Sequence, residues 1–168
     1  MPIKNGVPEG LHTITCSFTV HDAMAAIEFY KRAFAAEAVM VMAMPGGKVG
    51  HAELRIGDSV FFLNDEFPQS HAVSPKTLGG TAGGTQLYVA DCDTWYERAI
   101  AAGAESVGKP MDMFWGDRWS AVRDPFGHIW AISTRKEDLS EGEISRRQAE
   151  FMKQMQAQMQ NCAEKQPA

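Results

Sequence analysis

The sequence is poor in the residues that would assign it to several common classes. Only 3 of its 168 residues are cysteine: Cys16, Cys92 and Cys162. An odd, scattered set builds no disulfide framework, and no CxxC or close Cys/His cluster offers a structural zinc site. Basic residues are outnumbered, 16 Lys and Arg against 21 Asp and Glu, for a formal net charge of −5. That balance leaves no footprint for nucleic acid or an anionic membrane surface. No run approaches the roughly 18 apolar residues of a membrane helix. The opening MPIKNGVPEG lacks an apolar stretch of the secretory kind. These absences set the expectation of a cytoplasmic protein with neither nucleic acid nor membrane as a partner. What the chain does have is 45% apolar residues, enough core for one domain or two small modules.

Residues 11–20, LHTITCSFTV, alternate in polarity and read as a half-buried strand. Thr13, Thr15, Ser17 and Thr19 share one face; Ile14, Cys16, Phe18 and Val20 share the core face. Asp22 stands where an N-cap belongs, and Met24, Ile27, Tyr30 and Phe34 recur at helical spacing across 23–34. Strands are expected at 37–44, 48–56 and 59–64, separated by Pro45-Gly46-Gly47 and Gly57-Asp58. Residues 65–83 lack periodicity and read as a linker or a binding loop.

The order then recurs. A strand is expected at 84–90, then a helix capped by Asp91 or Asp93 that ends before Gly103. Strands follow near 105–114, 118–123 and 128–134, the last two joined by Asp124-Pro125-Phe126-Gly127. Val20-x-Asp22 ahead of Phe29-Tyr30 answers Val89-x-Asp91 ahead of Trp95-Tyr96, an internal repeat with a period of about 70 residues. The expected modules are therefore 11–64 and 84–135, with 65–83 between them. A final helix is expected over 140–161. Ser140-Glu-Gly-Glu143 opens it in the manner of a capping box, and Ile144, Phe151, Met155 and Met159 form its apolar stripe. It packs either on its own domain or against a partner.

Several phrases resemble a known superfamily. Phe18-Thr-Val-His-Asp-Ala-Met-Ala-Ala-Ile-Glu-Phe-Tyr-Lys-Arg-Ala-Phe34 is similar to the first strand and helix of vicinal oxygen chelate proteins, the glyoxalase/bleomycin-resistance/dioxygenase group. Asp124-Pro-Phe-Gly-His-Ile-Trp130 is similar to their closing hairpin. Gly50-His-Ala-Glu-Leu-Arg-Ile-Gly-Asp58 and Phe114-Trp-Gly-Asp-Arg118 look closest to the PhnB-like branch. The resemblance spans residues 11–135. It implies an α+β fold of two βαβββ modules, with curved mixed sheets around a concave cavity and helices on the convex side. It also implies a homodimer, with modules paired within or across chains. Metal-using members carry His, Gln or Glu ligands on the first and last strand of each module. The matching positions are Thr15, Phe62, Gly84 (or Gln86 if the register slips by one pleat) and Ala131. Thr, Phe, Gly and Ala offer neither imidazole nor carboxylate, so no metal and no cofactor is expected there. Chemistry that uses a metal as Lewis acid is not expected at that site either.

Strand parity nominates other residues. Ala52, Leu54 and Ile56 should face the helix, which turns His51, Glu53 and Arg55 into the cavity. A carboxylate beside an imidazole suits general acid–base work. The same residues also suit a structural network in which Glu53 pairs with Arg55 or Arg118. Arg118 and Ser120 are expected at places similar to His51 and Glu53, with Trp115 at the cavity mouth. Thr15, Ser17, Phe62, Gln86 and Tyr88 complete the expected ligand-binding set. Trp130 reads as core, and Cys16 as a small core hydrophobe. His128 reads as a surface or hairpin residue, and His12, His21 and His71 as exposed. Met40, Met42 and Met44 share a face that lines the cavity or the module interface. These readings favour a protein that binds a small molecule. A metal-independent isomerase, epimerase or lyase using Glu53 or His51 as base is the first alternative. A metal-dependent enzyme with a non-standard site is the second. An interaction module working through the C-terminal helix is a third class.

Overall fold

Alternation and helical spacing produce two copies of one unit. The computed structural model describes residues 6–163, with side chains as far as residue 157. The first unit is β1 (Ser17–Val20), α1 (Ala23–Phe34), β2 (Glu37–Ala43), β3 (Val49–Ile56) and β4 (Ser59–Asp65). A 3-10 turn at Pro68–Ser70 and the short helix α2 (Pro75–Leu78) follow. The second unit is β5 (Gly84–Tyr88), α3 (Cys92–Ala102), β6 (Glu105–Asp112), β7 (Asp117–Arg123) and β8 (Ile129–Arg135), and then comes α4 (Glu141–Ala163). The architecture is the expected α+β pair of βαβββ modules with a C-terminal helix. Each sheet runs first, last, third, second strand: β1-β4-β3-β2 and β5-β8-β7-β6. Only the first–last pair in each is parallel.

The helix starts explain why the two units match. Asp22 caps α1, accepting from the Ala25 amide at 3.0 Å. Asp91, rather than Asp93, caps α3. The end of the last strand then ties down the first helical amide in both modules. Asp65 Oδ1 accepts from Ala23 N at 2.9 Å, and Thr134 Oγ1 accepts from Cys92 N at 2.8 Å. Each bond satisfies a donor that a helix start otherwise leaves orphaned.

The expected strand at 11–20 is shortened to Ser17–Val20. Cys16 still accepts from the Phe62 amide at 2.8 Å, but the residues before it leave the sheet. Ile14 is consequently 85% exposed, and Cys16, expected in the core, is exposed as well. Met24 is also exposed, because α1 buries Ala23, Ala26, Ile27, Phe29, Tyr30, Ala33 and Phe34 instead. Residues 65–83 are more ordered than their composition suggested. Ser74 and Pro75 are buried, and Glu66 accepts from the Thr77 hydroxyl and the Ser74 amide, bonds that hold its carboxyl below the ordinary value.

One core serves both modules. Trp130 of β8 lies among Phe34, Phe18, Tyr30 and Phe61 of the first module, at ring separations of 4.7, 5.3, 5.3 and 5.9 Å. At its centre is the Asp124 carboxylate, 3% exposed. Its Oδ2 accepts from the Tyr30 hydroxyl at 2.7 Å and from Trp130 Nε1 at 2.9 Å. Its Oδ1 accepts from the amides of Phe126 and His128, both at 2.9 Å. These four donors occupy the lone pairs that make a buried carboxylate tolerable. Arg98 of α3 donates to the Lys31 and Arg32 carbonyls at 3.1 and 2.6 Å, adding a cation at the C-terminal end of α1. His128 does lie in the hairpin but is buried, its ring 4.8 Å from Phe18 and its Nε2 3.1 Å from the Thr19 carbonyl.

Helix α4 opens as expected, with Ser140 Oγ accepting from the Glu143 amide at 3.3 Å. Phe151 rests on Phe114, and Arg147 bridges Glu137 and Glu143, so the helix touches its own module. Met155 is 43% exposed, and Met159 lies outside the described side chains.

Replacing Asp124 by Ala strands four donors in the core and is expected to lower unfolding free energy by about 3–5 kcal/mol, measured by urea denaturation. Burial, and then the Asp124 charge, push the Tyr30 hydroxyl well above its ordinary value. The folded state therefore holds this proton more tightly than the unfolded state does. Its stabilisation is complete below about pH 10 and is lost as pH rises beyond that. Tyr30→Phe is expected to flatten this alkaline decline when urea midpoints are compared across pH.

Candidate functional site

With one side of each sheet committed to the helices, the opposite side is open and presents its side chains to solvent. In the first module, Ser17, Phe62, Glu53 and Met40 stand side by side across β1, β4, β3 and β2. Thr19 and Asn64 form the next row and are joined by a 3.2 Å hydrogen bond. His51 Nε2 lies 3.5 Å from Glu53 Oε1, and its ring meets Phe62 edge-on at 4.8 Å. The side chains of His51 and Glu53 are 34% and 25% exposed, sheltered but reachable. Glu53 pairs with neither of the arginines considered above. Arg55 turns to Glu37, and Arg118 belongs to the other module. Met40, Met42 and Met44 are exposed at the free edge of this face and do not line a module interface.

In the second module, Tyr88, Ser133, Trp119 and Met111 form a row across β5, β8, β7 and β6 that matches the Thr19–Asn64 row of the first. Gln86 donates to Ser133 Oγ at 2.8 Å. Trp119 lies so close to Gly108 that a Cβ there would stand 2.8 Å from the indole, so β6 needs glycine at this point. Asp117, 2% exposed, organises the end of the row. Its Oδ2 accepts from the Tyr88 hydroxyl and from Trp115 Nε1, both at 3.0 Å. Its Oδ1 sits 2.8 Å from Arg135 Nε, in ion-pairing range but without hydrogen-bond alignment. Neither Asp117 nor Arg135 was nominated from the sequence. Only the register that sets them opposite each other, beside Trp119, reveals them.

Two nominated residues lie on the wrong side. Because Asp117 and Trp119 take the open face, Arg118 and Ser120 turn toward α3. Arg118 donates to Asp93 at 2.8 and 2.7 Å and holds that carboxyl below its ordinary value. Ser120 is fully buried 3.3 Å from Cys92 Sγ, a thiol pushed up by burial. Thr15 precedes β1 and donates to the His12 carbonyl at 3.2 Å. The strand partner of Phe62 is therefore Ser17 rather than Thr15, and that of Ala131 is Gln86 rather than Gly84. None of these six side chains carries imidazole or carboxylate, a donor set that does not suit a first-row transition metal. Among the described residues, no group of three or more His, Cys, Asp or Glu is placed to hold a metal ion.

The contacts between modules run through the helix-facing sides. Among the described residues, no hydrogen bond, ion pair or ring contact joins one open face to the other. His51, Glu53 and Arg118 therefore do not converge on one cavity, and the His51–Glu53 and Tyr88–Asp117 groups form separate patches of one chain.

Paired βαβββ modules with open sheet faces define a class before any name is needed. Residues 10–132 match the Glyoxalase/Bleomycin resistance protein/Dioxygenase superfamily, and the chain belongs to it. It is 41% identical over 128 residues to "Uncharacterized protein Rv0887c" of Mycobacterium tuberculosis, covering 74% of this chain and 75% of the relative. The same identity is found with "Uncharacterized protein Mb0911c" of Mycobacterium bovis, of which 84% is covered. Among solved structures, TioX from Micromonospora sp. ML1 superposes with a TM-score of 0.59 at 23% identity, over 77% of this chain and 100% of that one. A PhnB protein from Bacillus cereus gives 0.57 at 17% identity, over 73% and 98%. At these identities the structural likeness speaks for the fold alone.

Asp117→Ala should release Tyr88 and Trp115 together. The expected cost is about 1–3 kcal/mol of stability, with a changed near-ultraviolet dichroism of the indole and an unchanged far-ultraviolet spectrum. An unaltered near-ultraviolet signal would mean that Asp117 does not hold Trp115.

Proposed function

We propose that the protein binds a small, flat organic molecule on its open sheet faces without a resident metal. The observation that carries this reading is the buried Asp117 carboxylate, which fixes the Tyr88 hydroxyl and the Trp115 indole beside Trp119 and Gln86. Aromatic side chains already held in place lose little freedom when a ligand arrives. Beside the Tyr88–Asp117 group Arg135 is paired with Asp117, and on the first face Arg55 is paired with Glu37. With Arg118 turned inward, the surface around Tyr88 and Trp119 offers rings and hydrogen-bonding groups, which favours a neutral ligand over an anion there. Ser17, Phe62, His51 and Glu53 supply the second patch. A homodimer that sets the first face of one copy against the second face of the other would enclose the ligand, and the exposure of both faces in the single chain supports that arrangement. No helix among the described residues is long and apolar enough to cross a membrane. A cytoplasmic location is proposed from the composition alone.

The His51–Glu53 contact supports a second reading, a metal-independent isomerase, epimerase or lyase with one of the two as base. Native mass spectrometry and calorimetry against aromatic metabolites and antibiotics separate the alternatives. The binding reading expects saturable binding that survives chelator treatment, weakens by about tenfold or more in Tyr88→Ala, and yields no product. Product formation lost in Glu53→Gln would establish the enzyme instead. Binding abolished by chelator would favour a metal-dependent site outside the standard positions.

A further inference from the structure

The internal repeat fills its two module junctions unequally. With the caps Asp22 and Asp91 aligned, His21, Phe29 and Tyr30 of the first module correspond to Ala90, Arg98 and Ala99 of the second. The turn between β7 and β8 carries Phe126, which crosses the module boundary and packs on those three first-module rings, at separations of 5.4, 6.1 and 6.2 Å. Phe126 is 5% exposed. The matching turn between β3 and β4 is only Gly57-Asp58, with no ring to insert, and Ala90 replaces His21 opposite it. Where the first junction is plugged, the second leaves a solvent-open cavity of about 630 Å³. That size falls within the range of about 300–1,000 Å³ typical of ligand pockets.

We propose that this cavity is a second binding site for a neutral aromatic molecule, set between the modules and bordered by Gln86 and Tyr88 at the edge of the second open face. Its walls include Phe18, Phe61, Leu87, Val89, Trp95 and Trp130, so the lining is dominated by rings and branched aliphatics. Asp58 is the sole Asp, Glu, Lys or Arg along it, and it is exposed and bonded to Ser59 Oγ at 2.9 Å. A charged ligand would therefore lose hydration without gaining a buried partner. The other junction indicates what such a niche accepts, since its own occupant is a phenyl ring. Both β1 and β5 are sheet edges, which leaves backbone groups beside the cavity for a polar end of the ligand. His51 and Glu53 take no part in it.

The test uses the neutral fluorophore N-phenyl-1-naphthylamine and the full chain. The expected result is saturable one-to-one binding, with amide shifts in a nitrogen–proton correlation spectrum centred on Gly57, Ser59, Val89 and Ala90. Ser59→Phe adds a ring at the cavity wall next to the β3–β4 turn, and Thr85→Phe narrows the cavity from β5. Each is expected to weaken the probe by about tenfold or more while its spectrum stays dispersed. If one variant misfolds, the other still decides. Absence of saturable binding, shifts centred on His51, Asn64 and Trp119, or undiminished affinity in a folded cavity-filling variant would overturn the assignment. Shifts centred on His51, Asn64 and Trp119 would place the probe on the open faces instead, whereas loss of binding only in the cavity-filling variants leaves the reading of those faces untouched.

Discussion

Asp124 brings a carboxylate into the apolar boundary between the modules, and the rest of the arrangement answers to that charge. A buried carboxylate persists only with its oxygens occupied. The Tyr30 hydroxyl from one module and the Trp130 indole from the other must both reach it, along with two amides of its own turn. These bonds set α1 against the β7–β8 hairpin. Phe126 and His128 are carried across the boundary with it, onto His21, Tyr30, Phe18 and the Thr19 carbonyl. Once the helix-facing sides share one core, each sheet has its other side free, and that freedom is where binding chemistry can sit.

The two modules repeat a scaffold and differ in what they hang on it. The tie between the last strand and the first helical amide is kept, by Asp65 in one and Thr134 in the other. The rings at the junction are not kept, because Ala99 stands where Tyr30 does and Gly57-Asp58 where Phe126 does. The sheet edges differ as well. β6 carries Lys109 and Pro110, residues that discourage strand pairing, whereas β2 leaves Val39, Met40, Val41 and Met42 open to solvent. An edge so apolar is the kind that another surface covers.

The helices, their caps and the two βαβββ orders were legible in the sequence because local signals of different kinds agreed. Parity on β3 was legible too, since Ala52, Leu54 and Ile56 alternate cleanly with His51, Glu53 and Arg55. On β7 it was not. Asp117, Arg118, Trp119 and Ser120 give each face one charged residue, so alternation alone cannot say which side is inward. The helix claims Arg118 through Asp93, an ion pair made by a residue distant in sequence. Strand β1 failed differently. Its alternation continues back to residue 11, but its ladder with β4 ends at Cys16, and polarity without a partner strand is not a strand.

Taken alone, the sequence determined the α+β class, the internal repeat and the helix termini. Each of these follows from residue identity or from spacing within a few turns of chain. Tertiary structure alone decided the register that pairs Gln86 with Ala131, the inward turn of Arg118 and Ser120, the burial of Asp117 between Tyr88, Trp115 and Arg135, and the separation of the two open faces. Those outcomes depend on which strands lie side by side and on which of two competing surfaces a side chain meets, and such energies come from contacts between residues far apart along the chain.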